Sequence, residues 1–287
     1  MSTDLKPGIL YIVGTPIGNL EDMTFRAVRI LQEVDLIASE DTRHTGKLLH
    51  HFQITTPQIS YHEHNKLSRL EELLQYLRQG KTIALVTDAG MPGISDPGHE
   101  LIGACIEAGF SVIPIPGATA AITALVTSGL PTDRFVFEGF FPTKSQERNE
   151  RLQAIKNETR TLIFYEAPHR LQQILRDLAD SLGEDRKIVL ARELTKLYEE
   201  FWRGTIGEAT VLYQWEKVPK GEYTLVVAGA SEAENLILSE TELKAELQQL
   251  LNQGMTRSQA SRQLAQLTSL PRRQIYQLAL GIERKPQ

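Results

Sequence analysis

Two stretches of this chain crowd acid–base side chains into a few residues. Ser39-Glu40-Asp41-Thr42-Arg43-His44 holds two carboxylates, a guanidinium and an imidazole. Ser60-Tyr61-His62-Glu63-His64-Asn65 holds two imidazoles around a carboxylate. Such sets can take a proton from a weak nucleophile and grip a phosphate through the planar arginine fork. The grouping Glu40–His44 is costly unless it is solvated or used, and a solvated turn is the competing reading. His62 and His64 could pair on a metal, yet no cysteine or further histidine motif stands at zinc spacing. Tyr165-Glu166-Ala167-Pro168-His169-Arg170 is a third polar segment.

Three loops could expose backbone to a ligand. Asp88-Ala89-Gly90-Met91-Pro92-Gly93-Ile94-Ser95-Asp96-Pro97-Gly98 packs three glycines and two prolines together. A rigid loop of this kind costs chain entropy and buries little, so it normally has a function. Its two aspartates could orient a cation or a hydroxyl; the plainer reading is a tight crossover turn. Gly14-Thr15-Pro16-Ile17-Gly18-Asn19 matches neither a dinucleotide fingerprint nor a P-loop, and alone is equally a structural turn. Pro116-Gly117-Ala118-Thr119-Ala120 opens a small-residue helix, which suits a ligand at a helix N-terminus or a close helix–sheet contact.

The elements around these segments alternate. Strands are expected at Ile9–Gly14, Leu36–Ser39, Thr82–Thr87 and Ser111–Ile115, with a short one before Ser60. Helices are expected at Thr24–Glu33, from about Arg43 to His51, and at Leu67–Gln79, His99–Ala108 and Ala118–Ser128. This alternation predicts a largely parallel sheet covered by helices. A second half follows Ser128-Gly129-Leu130-Pro131. It has strands at Phe135–Glu138, Thr161–Tyr165 and Lys187–Ala191, and a polar helix at Gln146–Lys156. Glu199–Gly204 and Glu222–Ala228 read as late antiparallel strands. Beyond Ser231 the chain turns to Leu/Gln-rich helix. Thr256 and Gln259 fit a capping box, and Pro271 suits the first turn of a last helix ending near Leu280. Two short helices joined by Thr268–Pro271 resemble a helix-turn-helix. The expected domains are therefore 1–121, 122–230 and 236–287.

The chain has 287 residues, 41% of them hydrophobic, and a net charge of −5, enough for two cored domains with an appendage. The acidic balance argues against a protein that coats nucleic acid over its whole surface. From Met255 onward, however, Arg257, Arg262, Arg272, Arg273, Arg284 and Lys285 face Glu283 alone. That tail fits a nucleic-acid contact or a solvated docking bundle. The single thiol, Cys105, lies in an apolar helical pattern and reads as core. The first residues carry no leader-like pattern, and no apolar run approaches the roughly 20 residues that span a bilayer. A cytoplasmic protein with no membrane partner is expected.

Taken together, the segments Gly14–Asn19, Ser39–Arg43, Asp88–Gly98, Pro116–Ala120 and Tyr165–Arg170 resemble, in order and spacing, the ribosomal RNA small-subunit methyltransferase I family. That family is a branch of the tetrapyrrole methylase superfamily. The resemblance covers roughly residues 8–230, and the C-terminal helices resemble the extension that this branch carries. It implies two α/β domains with S-adenosylmethionine in the cleft between them, and a homodimer. It also implies 2′-O-methylation of a cytidine ribose in the decoding region of 16S ribosomal RNA. By motif, the implied cofactor contacts are Pro16, then Asp88, Ala89, Gly90 and Ile94, then Thr119 and Ala120, then Tyr165 or Glu166, and Leu194. Glu40 falls where some tetrapyrrole-methylating relatives carry a catalytic acid. The first loop departs from their Gly-rich form, which moves the expected substrate away from tetrapyrroles.

A ribose hydroxyl needs a base or an oriented hydrogen bond. Glu40, Asp41 and His44 are the local candidates, with Arg43, His62, His169 and Arg170 to hold phosphates or the base. Two rival readings stand beside this one. The first is a methyltransferase of the same fold acting on a tetrapyrrole or a protein side chain. The second is a helix-turn-helix regulator with a ligand-sensing body.

Overall fold

The computed structural model describes residues 8–230, 240–268 and 270–282. The proposed leader-free start before Gly8, Ser269 in the predicted joint, and Glu283, Arg284 and Lys285 lie outside the described residues. The chain divides into two compact units: Met1–Lys156 with Arg160–Ala228, and Asn157–Thr159 with Gly229–Gln287.

The larger unit holds two five-stranded sheets. The first comprises β1 (Ile9–Val13), β2 (Leu36–Ser39), β3 (Gln58–Ser60), β4 (Ile83–Val86) and β5 (Ser111–Ile115), in the order β3-β2-β4-β1-β5. All four pairings are parallel. Parallel sheets are covered on both faces, so their inner strands are apolar throughout; β1, β2 and β4 are buried at every residue. Pro114 cannot donate to a ladder and sits in the edge strand β5. The covering helices are α1 (Phe25–Glu33), α2 (Thr42–His51), α3 (Lys66–Arg78) and α4 (His99–Glu107). Cys105 is fully buried among Leu10, Leu77 and Leu101, as its pattern predicts.

Helix α5 (Ala120–Ser128) leads into the second sheet. It starts two residues later than expected, because Thr119 is extended at φ −140°. The strands are β6 (Phe135–Phe140), β7 (Thr161–Glu166), β8 (Lys187–Arg192), β9 (Glu200–Thr205) and β10 (Tyr223–Val227), in the order β6-β7-β10-β8-β9. β6 pairs β7 in parallel and every other pairing is antiparallel, so the late strands are antiparallel as read. β6 runs two residues further than expected, through a bulge between Phe137 and Gly139 where Gly139 takes φ +67°. α6 (Ser145–Ile155) and α7 (Pro168–Leu182) cover this sheet. α7 buries Leu171, Ile174, Leu175, Leu178 and Leu182, an i, i+3, i+4, i+7, i+11 stripe. The sequence reading had no counterpart for α8 (Ile206–Val211), which continues as a π-helical turn over Leu212–Glu216.

The smaller unit has a three-helix core of α9 (Glu240–Asn252), α10 (Arg257–Leu267) and α11 (Arg272–Leu280). Leu243, Leu247, Leu264 and Ile275 are buried within it. The Thr256–Gln259 capping box is formed on both arms. Pro271 is the N-cap of α11 rather than part of its first turn, because its ψ of 133° is extended.

Candidate active site

The chain leaves the adjacent strands β1 and β4 in opposite directions, toward β2 and toward β5. Such a reversal opens a crevice beyond the carboxyl ends of the two strands. The loops that follow them are 14–19 and 87–98, and they are tied together. The Thr15 N–H donates to the Gly90 carbonyl at 2.9 Å, and the Gly90 N–H donates back to the Thr15 carbonyl at 3.1 Å. The Thr15 hydroxyl donates to the Thr87 carbonyl at 3.0 Å. Gly90 has φ +81°, a conformation that side chains with a Cβ resist. Neither Gly14 nor Gly18 takes a positive φ, but both meet other segments closely: an added Cβ would lie 2.8 Å from Gly117 Cα and 2.4 Å from Lys196 Cγ, respectively.

A cavity of about 400 Å³ lies over this crevice. Ile17, Ala89, Gly90, Met91, Ile94, Ser95 and Asp96 line it from the loops after β1 and β4, and Thr119 and Ala120 from the start of α5. The second sheet supplies the other wall, through Phe140, Tyr165, Glu166, Ala191, Leu194, Tyr223 and Thr224. Thr119 caps α5 without a side-chain hydrogen bond. The Tyr165 hydroxyl accepts the Ala121 N–H at 3.2 Å, which joins the second sheet to the first turn of α5. Burial pushes the Tyr165 phenol up. The Glu166 side chain is fully buried. One of its oxygens accepts the Ala167 N–H at 2.9 Å and lies 3.4 Å from Arg170 Nε; the other has no hydrogen-bond partner. Burial raises the pKa of this carboxyl, against the opposing pull of the Ala167 N–H and Arg170.

Of the residues singled out for a cofactor, Ala89, Gly90, Ile94, Thr119, Ala120, Tyr165, Glu166 and Leu194 line the cavity. Pro16 and Asp88 do not; Ile17, one residue on from Pro16, does. Asp88 turns instead toward the segment after β2. Its Oδ1 accepts the Asp41 N–H at 3.2 Å, and its N–H donates to Glu40 Oε2 at 3.2 Å. β2 and β4 are neighbours with Ser39 opposite Val86, so the residues just beyond their ends must meet.

Glu40, Asp41, Arg43 and His44 do not line the cavity. Glu40 is half-buried, and burial raises its pKa, with the Asp88 N–H opposing and the Asp88 and Asp41 charges adding. Asp41 caps α2: its Oδ1 accepts the Arg43 N–H at 2.8 Å, and its two oxygens take the Arg43 guanidinium at 3.0 and 2.6 Å. Those hydrogen bonds hold its carboxyl far below the usual range. The Arg43 side chain is 87% exposed, and His44 is exposed. The His62 and His64 rings stand edge to face with centroids 6.0 Å apart, and among the described residues no cluster of His, Cys, Asp and Glu could hold a metal.

Asp96 is the cavity residue that the sequence reading noticed and did not assign to a site. Burial, with the negative Glu40 and Asp88 adding, pushes its carboxyl up to about 7. Its signal in the sequence was a carboxylate between Ser95 and Pro97 in the glycine-rich loop. The walls from the second sheet, Phe140, Ala191, Tyr223 and Thr224, had no motif to mark them.

Residues 9–210 match the model of the Tetrapyrrole (Corrin/Porphyrin) Methylases. The chain is 62% identical over 276 residues to a Synechocystis protein named ribosomal RNA small subunit methyltransferase I, covering 96% of this chain and 99% of that one. The chain belongs to the ribosomal RNA small subunit methyltransferase I family of the tetrapyrrole methylases. Another member of the family, from Bacillus subtilis, is 46% identical over 94% of this chain and 93% of its own. Solved tetrapyrrole methylases share the fold. The uroporphyrin-III-C-methyltransferase of Thermus thermophilus superposes with a TM-score of 0.56 at 21% identity, covering 77% of this chain and 94% of its own. The methyltransferase CobJ gives 0.58 at 18% identity, over 77% and 94%. In this family member the fold places a mostly apolar cavity, lined by Asp96, beside the carboxylates Glu40, Asp41 and Asp88.

Proposed function

We propose that this chain transfers the methyl group of S-adenosylmethionine to the 2′-hydroxyl of a cytidine in the decoding region of 16S ribosomal RNA. The observation that carries this reading is the cavity at the β1–β4 crevice, in a chain whose relatives over nearly full length are named for the small-subunit RNA. The cavity volume of about 400 Å³ falls in the roughly 300–1,000 Å³ range of small-molecule sites. Ile17, Met91, Ile94 and Leu194 offer apolar surface for a nucleoside, and the unpaired buried oxygen of Glu166 is an acceptor waiting for a donor. The carboxylates of Glu166 and Glu222 suit a cationic sulfonium ligand.

Bound there, S-adenosylmethionine supplies an electrophilic methyl group. The chain's own task is to fix the ligand against the RNA and manage one proton. Ala89, Gly90 and Thr119 from the first sheet's side, and Tyr165, Glu166 and Leu194 from the second's, line the cavity and would hold the ligand. Gly90 presents a bare Cα surface, since its N–H and carbonyl are both engaged by Thr15. Positioning of this kind can supply about 7–11 kcal/mol of a two-reactant barrier. Arg43, exposed at the start of α2, is the phosphate ligand of this reading, and the Arg-bearing α10 and α11 are a second RNA contact. The family resemblance extends this reading to a homodimer. A cytoplasmic location follows from the ribosomal substrate.

The test is transfer of labelled methyl from S-adenosylmethionine to small ribosomal subunits, followed by nucleoside analysis. A labelled 2′-O-methylcytidine is the expected product. Labelled porphyrinoid with unlabelled RNA would overturn the reading.

A further inference from the structure

We propose that Asp96 is the catalytic base that accepts the proton of the substrate hydroxyl, and that Glu40 acts through it as a positioning residue. This rests on the methyl-transfer reading and names the residue that carries its proton step.

The cavity has three carboxylates; Glu222 is paired, and Glu166 has one oxygen engaged and the other open to a donor on the ligand. Glu222 takes Lys196 Nζ at 2.9 Å. Glu166 lies at the buried end of its strand, with Ala167 and Arg170 on one oxygen. Asp96 is in no ion pair among the described residues. It is also rigidly presented. Gly93, Ser95 and Gly98 around it take φ +83°, +62° and +148°, and Ser95 holds that conformation without being a glycine, at a cost of about 1–3 kcal/mol. The Gly93 N–H donates to the Pro97 carbonyl at 3.2 Å, and a Cβ on Gly98 would meet Gly93 N and Leu85 Cδ2 at 3.1 Å. Pro97 further restricts the backbone of the residue before it. The loop is closed upon itself with one carboxylate turned to the cavity.

The surroundings give that carboxylate its basicity. Burial does most of this; Glu40 from the end of β2 and Asp88 from the end of β4 add negative charge, and Tyr165 faces it from β7. With no ion pair to Asp96 among the described residues, burial and the two carboxylates bring its titration near neutrality, where a general base is most effective. By contrast, Asp41 is spent on Arg43 and titrates far too low to take a proton from a hydroxyl. In the step, the O–H bond of the ribose hydroxyl breaks and its proton goes to an Asp96 oxygen. The same hydroxyl oxygen forms the bond to the methyl carbon. The carbon–sulfur bond breaks with its electron pair kept by sulfur, leaving a neutral thioether. The proton passes from Asp96 to water after product leaves.

The experiment compares wild type, Asp96→Asn and Glu40→Gln in three measurements. The first is infrared titration of the free protein: a carboxyl titrating near pH 7 is expected in wild type, absent in Asp96→Asn and moved to lower pH in Glu40→Gln. The second is calorimetric binding of S-adenosylmethionine and S-adenosylhomocysteine, expected to be unchanged by Asp96→Asn. The third is single-turnover methyl transfer against pH. Asp96→Asn is expected to cut the plateau by about 100- to 10,000-fold, and Glu40→Gln to move the acid limb to lower pH. Loss of affinity for the sulfonium compound but not for the neutral thioether would overturn the base role and make Asp96 its counter-ion. An unchanged rate in Asp96→Asn, or no carboxyl titrating near neutrality, would also overturn it. A wild type that binds neither compound would instead sink the methyl-transfer reading itself.

Discussion

Gly14 and Gly117 stand backbone against backbone: a Cβ built on Gly117 would lie 2.8 Å from the Cα of Gly14. The contact joins the loop after β1 to the loop after β5, and both border the cavity. Neither glycine needs a special φ, so the constraint is steric. Gly117→Ala should therefore destabilise the fold by about 1–3 kcal/mol, the range of an overpacked contact, and weaken binding of S-adenosylmethionine. Urea denaturation and calorimetry check the two halves of this expectation.

Tyr165→Phe removes the hydroxyl that accepts the Ala121 N–H in the first turn of α5. A buried donor then loses its partner, which costs about 1–3 kcal/mol. Because the bond ties the second sheet to the helix bordering the cavity, ligand affinity should fall together with stability. Thermal melts with and without S-adenosylmethionine measure both.

The raised pKa of Asp96 has a stability consequence with a definite sign. Folded, this carboxyl titrates at about 7 against an ordinary value of 3.8. Between those values the folded state binds more protons than the unfolded one, so this group's contribution to stability declines as pH rises through the window. Asp96→Asn removes the decline. The variant should gain in melting temperature relative to wild type at pH 8 and show little gain at pH 4, with the difference developing between those values.

Arg43→Ala removes an exposed guanidinium paired only with Asp41 among its described partners. It should raise the apparent KM for RNA, with little change in kcat or in affinity for S-adenosylmethionine. Steady-state kinetics on small subunits separate these.

Helices α10 and α11 carry Arg257, Arg262, Arg272 and Arg273 and no acidic residue. Arg272 and Arg273 occupy the first turn of α11, the end at which the helix dipole disfavours cations. Replacing both with Gln should weaken RNA binding and lower the slope of log affinity against log salt by about 0.7–0.9 per arginine. Filter binding across a salt series reads the slope; an unchanged slope would mean that α11 does not touch RNA.

The strand–helix alternation of the first sheet was legible because its strands are short apolar runs ended by glycine and proline. Its cavity loops were legible for the same reason: Ala89, Gly90, Thr119 and Ala120 lie in motifs whose composition marks them. The far wall was harder. Thr224 and Phe140 reach the cavity through strand order and through the bulge at Gly139, and neither follows from local pattern. The Glu40–His44 segment lies outside the cavity lining for a physical reason. Dense charge in sequence suggests chemistry, but Asp41 and Arg43 satisfy each other as a helix cap, and only Glu40 and Asp88 lend charge to Asp96 in the cavity. α8 was missed because Ile206–Glu216 is short and ends in a π turn that breaks the helical period.

The position of β10 sets the order in which the larger unit can be completed during synthesis. It is the last strand of the second sheet in sequence and its middle strand in space, between β7 and β8. Until residues 223–227 have left the ribosome, β7 and β8 have no shared neighbour and the sheet remains two separate pieces with bare edges. The same strand brings Tyr223 and Thr224 to the cavity. A nascent chain therefore cannot acquire this cavity piecemeal: the cavity closes in the event that closes the sheet, so its completion reports that the sheet has folded.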